Sequence, residues 1–286
     1  MEKPAGGSLR DIVIGPALQC AEAASLGMPF EVWKTYMGRN RGVGTFQALG
    51  EIYAKGGLGM FWRGTGPKMA ESASKGMILV YSKEALLDAM TPLQLGAGVT
   101  GAIAGAGAGV CQVTVMGPMT FLVTGAVTGN QAESTWQRVH RVYAKEGVKG
   151  FYPGGVPIAF RQMTNWASRQ GFTELAREQV KKVFHGGNLD ARLTKGEEIM
   201  AGVGGGILAS WNHPFEVARI EMQARADQGQ SKKGMISVFR MIVQEQGPQG
   251  LFKGIIPRMC LSIWQVLFMV SGVKVVKAYL DDNATK

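Results

Sequence analysis

Charge, cysteine and histidine are all scarce in this chain. Only 18% of its 286 residues are charged, and it has three cysteines and three histidines. Cys20, Cys111 and Cys260 are far apart, odd in number and set in apolar stretches, which excludes a disulfide framework and any zinc-ligand spacing. His140, His185 and His213 are isolated along the chain, so neither a metal site nor a Ser-His-Asp arrangement is expected. No cofactor is expected either. The glycine-rich stretches 105–109 and 202–206 lack a preceding strand, a following Gly-Lys-Ser/Thr and a ribose-binding acid, and read instead as close helix packing. Residues 1–11 hold no secretory apolar core and no Arg-rich amphipathic presequence, so membrane targeting is expected to be internal.

Glycine, by contrast, is abundant, with 41 copies, and apolar residues make up 46% of the chain. Small residues let membrane helices approach closely, where lipid removes the hydrophobic drive for helices to associate. The mean hydropathy of +0.03 is low for a membrane protein and requires spans that turn charges toward a wet interior. A net charge of +10 admits nucleic acid, an anionic membrane surface or an anionic substrate as partner.

Between Asp88 and Glu133 lie 44 consecutive uncharged residues, far more than a soluble enzyme has a place for. One helix over 93–127 can cross a bilayer there with overhang, and 259–273 is a second uncharged run. The stretches 12–30 and 199–215 are nearly as clean, the first broken by Glu22. Two more candidates, 67–87 and 156–180, are interrupted by Glu71, Lys75, Arg161 and Arg169, which brings the expected count to six helices.

A tripled pattern organises these spans. Pro29-Phe30-Glu31-Val32-Trp33-Lys34 recurs as Pro214-Phe215-Glu216-Val217-Ala218-Arg219, and between them Pro118-Met119-Thr120-Phe121-Leu122-Val123 keeps the proline without the charges. Each box is followed by a Gly-x4-aromatic-x-Gly element, ending at Gly64, Gly154 and Gly254, and then by Pro67, Pro157 and Pro257. The chain is therefore expected to be one domain of three repeats, at about residues 8–90, 91–184 and 192–282. A proline inside a span kinks it, so the odd helices should converge at one face, where the box charges can pair and close a gate. Short amphipathic stretches at 46–54, 136–145 and 235–244 suit helices lying in the membrane interface. The loops that hold them are rich in Arg and Lys, which puts them on the matrix side.

The three ordered boxes with their Gly-aromatic-x-Gly sequels resemble the signature of the mitochondrial carrier family, and the likeness covers essentially the whole chain. Within that family, Glu71-Ser72-Ala73-Ser74-Lys75-Gly76, Arg161-Gln162-Met163-Thr164-Asn165-Trp166, Ser210-Trp211-Asn212 and Ile263-Trp264-Gln265 resemble the citrate/2-oxoglutarate carriers of fungal type. The resemblance implies an all-α membrane fold, with six transmembrane helices around a central cavity that alternates between two gated states. It also implies a multi-pass protein of the mitochondrial inner membrane, acting as a monomer, with cardiolipin at the matrix-side helix N-termini. The expected function is exchange of small carboxylates.

Substrate contacts in the family lie on the even helices, seven or eight residues past the last glycine. Here those positions are Glu71, Arg161 with Gln162, and Leu261; one turn further come Lys75, Asn165 and Gln265, and one turn before, Lys68 and Arg258. Lys75 and Arg161 offer cationic donors to carboxylates, and a guanidinium can bind one bidentately. Gln162 and Asn165 add neutral hydrogen bonds. Glu71 can either hold Lys75 in the empty cavity or carry a proton. Leu261 offers nothing polar, so Arg258 or Gln265 is expected to complete the site. At the matrix gate the family rule pairs Glu216 with Lys34, leaves Glu31 facing Val123, and sets Thr120 against Arg219. At most one full ion pair and a Thr120–Arg219 hydrogen bond are expected there, with Gln223 as a brace. At the cytoplasmic gate the expected pairs are Glu84–Arg177 and Glu174–Lys277. The alternative reading is a scaffold that keeps the carrier fold without transport, or a membrane protein binding nucleic acid through its basic loops. The uncharged Thr120 and Val123 of the second box leave room for it.

Overall fold

Each odd span breaks just ahead of its proline. In the computed structural model, which describes residues 9–93, 97–186, 188 and 193–284, helix α1 (Leu9–Glu22) passes through a widened turn, Ala23–Gly27, into α2 (Met28–Arg39). Pro29 has no N–H to give the carbonyl four residues back, at Ser25, and Ser25 leaves helical geometry with ψ −130°. The second odd span is α5 (Ala97–Cys111) and α6 (Val113–Thr128), bent by 46° at Gln112, ahead of Pro118. The third is α9 (Lys195–Leu208), a tight turn at Ala209–Asn212, and α10 (His213–Asp227), with Pro214 in its first turn. The single helix expected over 93–127 is thus two segments that meet at Gln112, with Pro118 itself held inside the second of them.

The even spans run unbroken as α4 (Thr65–Met90), α8 (Gly155–Phe184) and α12 (Ile255–Ala284). Each follows a glycine held at positive φ, 87° at Gly64, 77° at Gly154 and 84° at Gly254. These turns also seat one repeat on the next. A Cβ at Gly64 would lie 3.3 Å from Val123 Cα, one at Gly154 would lie 3.2 Å from Arg219 O, and one at Gly254 would lie 3.0 Å from Lys34 O. In every case the neighbour is the last residue of another repeat's proline box, so the three-fold arrangement is written into these contacts. Gly254→Ala is therefore expected to destabilise the protein by about 1–3 kcal/mol, through backbone strain and the Lys34 clash. Gly57→Ala, also at positive φ but with open space around it, serves as the control in a detergent melting experiment.

Packing closes the spans into a ring. Helix α4 lies against α1 and α5–α6, α8 against α5–α6 and α9–α10, and α12 against α9, α1 and α2. The second halves α2, α6 and α10 pack on one another pairwise, which draws the bundle together at that end. Three short helices cover this end: α3 (Gln47–Gly56), α7 (Thr135–Glu146) and α11 (Met235–Gln246). They bury Ala48 and Ile52, Val142, and Val238 and Ile242 respectively, each in its own apolar cluster. Beside or at their first turns Phe46, Trp136 and Ile236 stay exposed, as helices lying along an interface require.

Ion pairs fasten the short helices to the span ends. Arg138 of α7 donates from Nε to Asp227 at 2.9 Å, and Arg141 reaches the same carboxylate at 2.7 Å. Arg141 also donates to Glu133 at 2.6 Å and 2.9 Å, and this hydrogen bonding holds the Glu133 carboxyl below its ordinary value of 4.5. A lowered carboxyl stabilises the fold above its unfolded value, and the effect fades as pH falls through the folded one. The protection of α7 amides, taken relative to their intrinsic exchange rates, should accordingly fall in acid below the ordinary value, and Glu133→Gln should remove that acid dependence.

Length and apolarity alone pick out one described helix able to cross a membrane, at Pro248–Gly272, or two if the bent pair Ile103–Cys111 and Val113–Thr128 counts as one span. Six spans are expected from the repeat; of the other four, the two broken odd spans are in helices too short for the test, and the two unbroken even ones carry charges. Those charges converge inside the ring.

Candidate functional site

Each break holds a polar side chain between two unbroken helices. Gln112, at the α5–α6 bend, donates from Nε2 to the Lys75 carbonyl at 2.8 Å and accepts from Gln162 Nε2. Asn212, ahead of α10, donates to the Arg161 carbonyl at 3.2 Å and to Thr164 Oγ1 at 3.3 Å, and accepts from Arg258 at 2.5 Å. Glu22, ahead of the α1–α2 break, has Lys68 and Lys75 of α4 and Gln265 of α12 as its neighbours. Sequence reasoning gave Gln112 no part in the site. Its one signal is being the only amide between residues 95 and 129.

Among the residues expected to meet cargo, Lys75 and Arg161 have the most unspent capacity. No carboxylate lies within 4.0 Å of Lys75 Nζ among the described residues, although it stands in the fields of Lys68, Glu71, Glu22 and Arg161. Arg161 Nε is buried and lies 3.2 Å from Glu216 Oε2, but without hydrogen-bond geometry. Asn165, a turn beyond Arg161, is half-buried and makes no side-chain hydrogen bond among the described residues. Gln162 is occupied by Gln112.

Three expectations need correction. Glu71 does not hold Lys75; it accepts from Lys68 at 3.2 Å, because Lys68 is also drawn to Glu31 at 3.5 Å and completes a chain of alternating charge. Arg258 is not a free cavity donor. It donates to Asn212, approaches the Ala209 carbonyl at 3.5 Å, and lies 3.3 Å from His213 Nδ1, while His213 Nε2 is 2.9 Å from the Lys253 carbonyl. His213 is therefore a buried support for Arg258 rather than an isolated histidine. Leu261 is buried and apolar, and Gln265 is turned to Glu22, so the third repeat presents less to the interior than the first two.

Below this level α2, α6 and α10 are locked. Lys34 Nζ lies 2.8 Å from both Glu31 and Glu216, the second contact joining α2 to α10. Arg219 forks onto Glu216 of its own helix at 3.1 Å and 2.7 Å and comes within 4.0 Å of Glu31. The expected Thr120–Arg219 hydrogen bond is made instead through Gln223. Its Oε1 accepts from Arg219 at 2.7 Å and from Thr124 at 2.9 Å, and its Nε2 donates to Thr120 at 2.9 Å. Thr120 Oγ1 itself bonds back to the Met116 carbonyl of its own helix, leaving Gln223 to span the gap. Glu31, facing neutral Val123, turns to Lys34 and Lys68. All seven polar residues of this lock, with Thr124, are no more than 6% exposed.

At the opposite end one of the two expected pairs can be followed among the described residues, and it is not made. Glu84 is exposed and makes no ion pair among the described residues, so the expected Glu84–Arg177 pair is absent. Arg177 lies 4.0 Å from Glu198 instead. The side chains of Glu174 and Lys277 lie outside the described residues. No cluster of metal-ligating side chains occurs among the described residues.

Comparison with known proteins agrees with this architecture. The family model described as mitochondrial carrier protein matches residues 8–92, 98–185 and 193–284. The citrate/oxoglutarate carrier protein of Saccharomyces cerevisiae is 32% identical over 284 residues, covering 96% of this chain and 90% of that one. The human mitochondrial adenyl nucleotide antiporter SLC25A24 is 25% identical over 221 residues, 74% of this chain and 45% of that one. A probable calcium-binding mitochondrial carrier of Caenorhabditis elegans, F17E5.2, is 27% identical over 255 residues, and there too the match covers 45% of the longer protein. With three matched repeats spanning it and a relative aligned over nearly its full length, this chain belongs to the mitochondrial carrier family, whose members are transporters of small metabolites and not enzymes.

Proposed function

We propose that this carrier exchanges small di- and tricarboxylates, with citrate and 2-oxoglutarate the leading cargoes, across the mitochondrial inner membrane by alternating access. The observation that carries the reading is the pair of unspent cations, Lys75 on α4 and Arg161 on α8, facing the same interior with Asn165 beside them. An ionisable group held at this depth without a full partner is costly unless a ligand supplies one. A carboxylate does so well, since its paired oxygens match a guanidinium fork and accept from an ammonium. Glu71, Gln162, Arg258, Leu261 and Gln265 complete the proposed walls, by holding neighbours in place or by shape. The lock of Glu31, Lys34, Thr120, Glu216, Arg219 and Gln223 serves as the matrix gate. The loose Glu84 end serves as the open cytoplasmic mouth.

The name of the yeast relative supports the choice of cargo. The human nucleotide antiporter sets the competitor to test against. Purified protein in liposomes should take up labelled citrate only when 2-oxoglutarate or another carboxylate is inside, and adenine nucleotides should neither substitute nor compete. Uptake of nucleotide with no uptake of any carboxylate would sink the proposal. A detergent melting screen gives the same answer without transport, because cargo bound to the native state raises its apparent stability by about 2.7 kcal/mol at a concentration a hundred times its Kd.

A further inference from the structure

Each of the three breaks sets one buried polar side chain between two even helices, at a different register from the box proline, and the three differ in chemistry. Gln112 is 3% exposed and Asn212 is 1% exposed, and each satisfies an even helix on either side through an amide that both donates and accepts. Glu22, 4% exposed, is the buried polar residue at the first break, between α4 and α12, and it brings a carboxyl group. Its Oε1 is buried and has no hydrogen-bond partner. The cavity that holds it is closely fitted, since a Cβ added at Gly27 would stand 2.5 Å from that oxygen. An ionised carboxylate can only accept, whereas the amides at the other two breaks also donate; a carboxyl group gains a donor by taking a proton.

The groups facing Glu22 explain when it would do so. Lys68 and Lys75 face it from α4, Glu31 from α2, and the neutral Gln265 from α12. Lys68 is already engaged by Glu31 and Glu71, which leaves Lys75 as the one of the two with no ion pair among the described residues. An anion that binds Lys75 withdraws its support from the Glu22 carboxylate. A buried carboxylate deprived of a nearby cation favours its neutral form. Occupancy of Lys75 and protonation of Glu22 are then linked, each promoting the other.

Building on the carboxylate reading of the same interior, we infer that Glu22 is a proton-binding site that takes up one proton when an organic acid anion occupies Lys75. The proton comes from water, forms an O–H bond on the Glu22 carboxyl and returns to water when the anion leaves. No bond of the cargo is made or broken.

The test uses the purified full chain and 2-oxoglutarate, whose carboxylates stay ionised between about pH 6.5 and 8.5, the window in which a proton taken from the medium must bind to the protein and not to the cargo. Mixing the two in weakly buffered detergent solution should draw about one proton per bound cargo from the medium, and the apparent affinity should weaken by about tenfold per pH unit wherever the free carboxyl is ionised and the loaded one is not. Glu22→Gln, which supplies the missing donor permanently, should bind with no proton uptake and a flat pH profile. Glu22→Asp should keep both the uptake and the slope, and it serves if the glutamine variant does not fold. The same pH slope in Glu22→Gln as in the unaltered protein overturns the inference. Binding by the unaltered protein without proton uptake also overturns it, while leaving carboxylate transport standing. Failure of the unaltered protein to bind or exchange any carboxylate overturns both.

Discussion

Replacing Arg161 by alanine is expected to slow citrate/2-oxoglutarate exchange in liposomes by about 100-fold, the scale of losing a charge-assisted hydrogen bond to a buried anion. Lys75→Ala should do the same. Neither change should unfold the protein. Arg161 is 19% exposed in its side chain and makes no hydrogen-bonded contact with Glu216, which keeps Lys34 at 2.8 Å and Arg219 at 2.7 Å without it. Lys75 has no ion pair to lose among the described residues. Arg161→Lys is the informative companion. If bidentate contact matters, lysine restores the charge and leaves much of the defect; if charge alone matters, it restores most of the rate. Exchange within about twofold of the unaltered protein in both alanine variants, with melting curves intact, would mean that cargo binds elsewhere, since uncoupled positions move such values only slightly.

The second large effect is on the lock. Glu216 is 2% exposed and lies within 3.2 Å of Lys34, Arg161 and Arg219, so Glu216→Gln leaves three cations around a neutral amide. Breaking a buried ion pair on one side only costs about 3–5 kcal/mol, because the remaining charge has lost both water and partner. The melting temperature in detergent should fall by roughly 10 °C. Removing Lys34 as well, in a Lys34→Met, Glu216→Met double variant, should recover part of that loss, since one of the three stranded cations goes with it and the interaction term of a contacting pair is far from additive. A double variant as unstable as the sum of its parts would show that the two residues do not act as a pair.

Much of the frame was readable before any coordinates. Pro29, Pro118 and Pro214 each announce a broken helix, and Gly64, Gly154 and Gly254 each announce a turn at positive φ that starts an unbroken one. The Lys34–Glu216 contact is the one that the family resemblance implies. The partners of the remaining charges were not readable. Glu71 had lysines both three residues before and four residues after it, and helical spacing favours neither. Glu31 on a different helix decided the matter by holding Lys68. Arg258 reads from sequence as a cavity cation, yet Asn212 and His213 lie where they can take its donors. Gln112 reads as an anonymous residue in an apolar run, yet it joins groups 37 and 50 residues away.

The division has a physical cause. A missing N–H and a positive φ act within a single turn of backbone, so the number of repeats, the breaks, the turns and the polarity of each span are properties of the chain itself. The choice of partner for a buried charge is made over about 3 Å between side chains on separate helices, where small differences in distance outweigh anything encoded locally. Closure of the ring sets those distances. It decided that the lock is sealed at the α2–α6–α10 end, that Arg258 is tethered, and that Lys75 and Arg161 are left with capacity to spare.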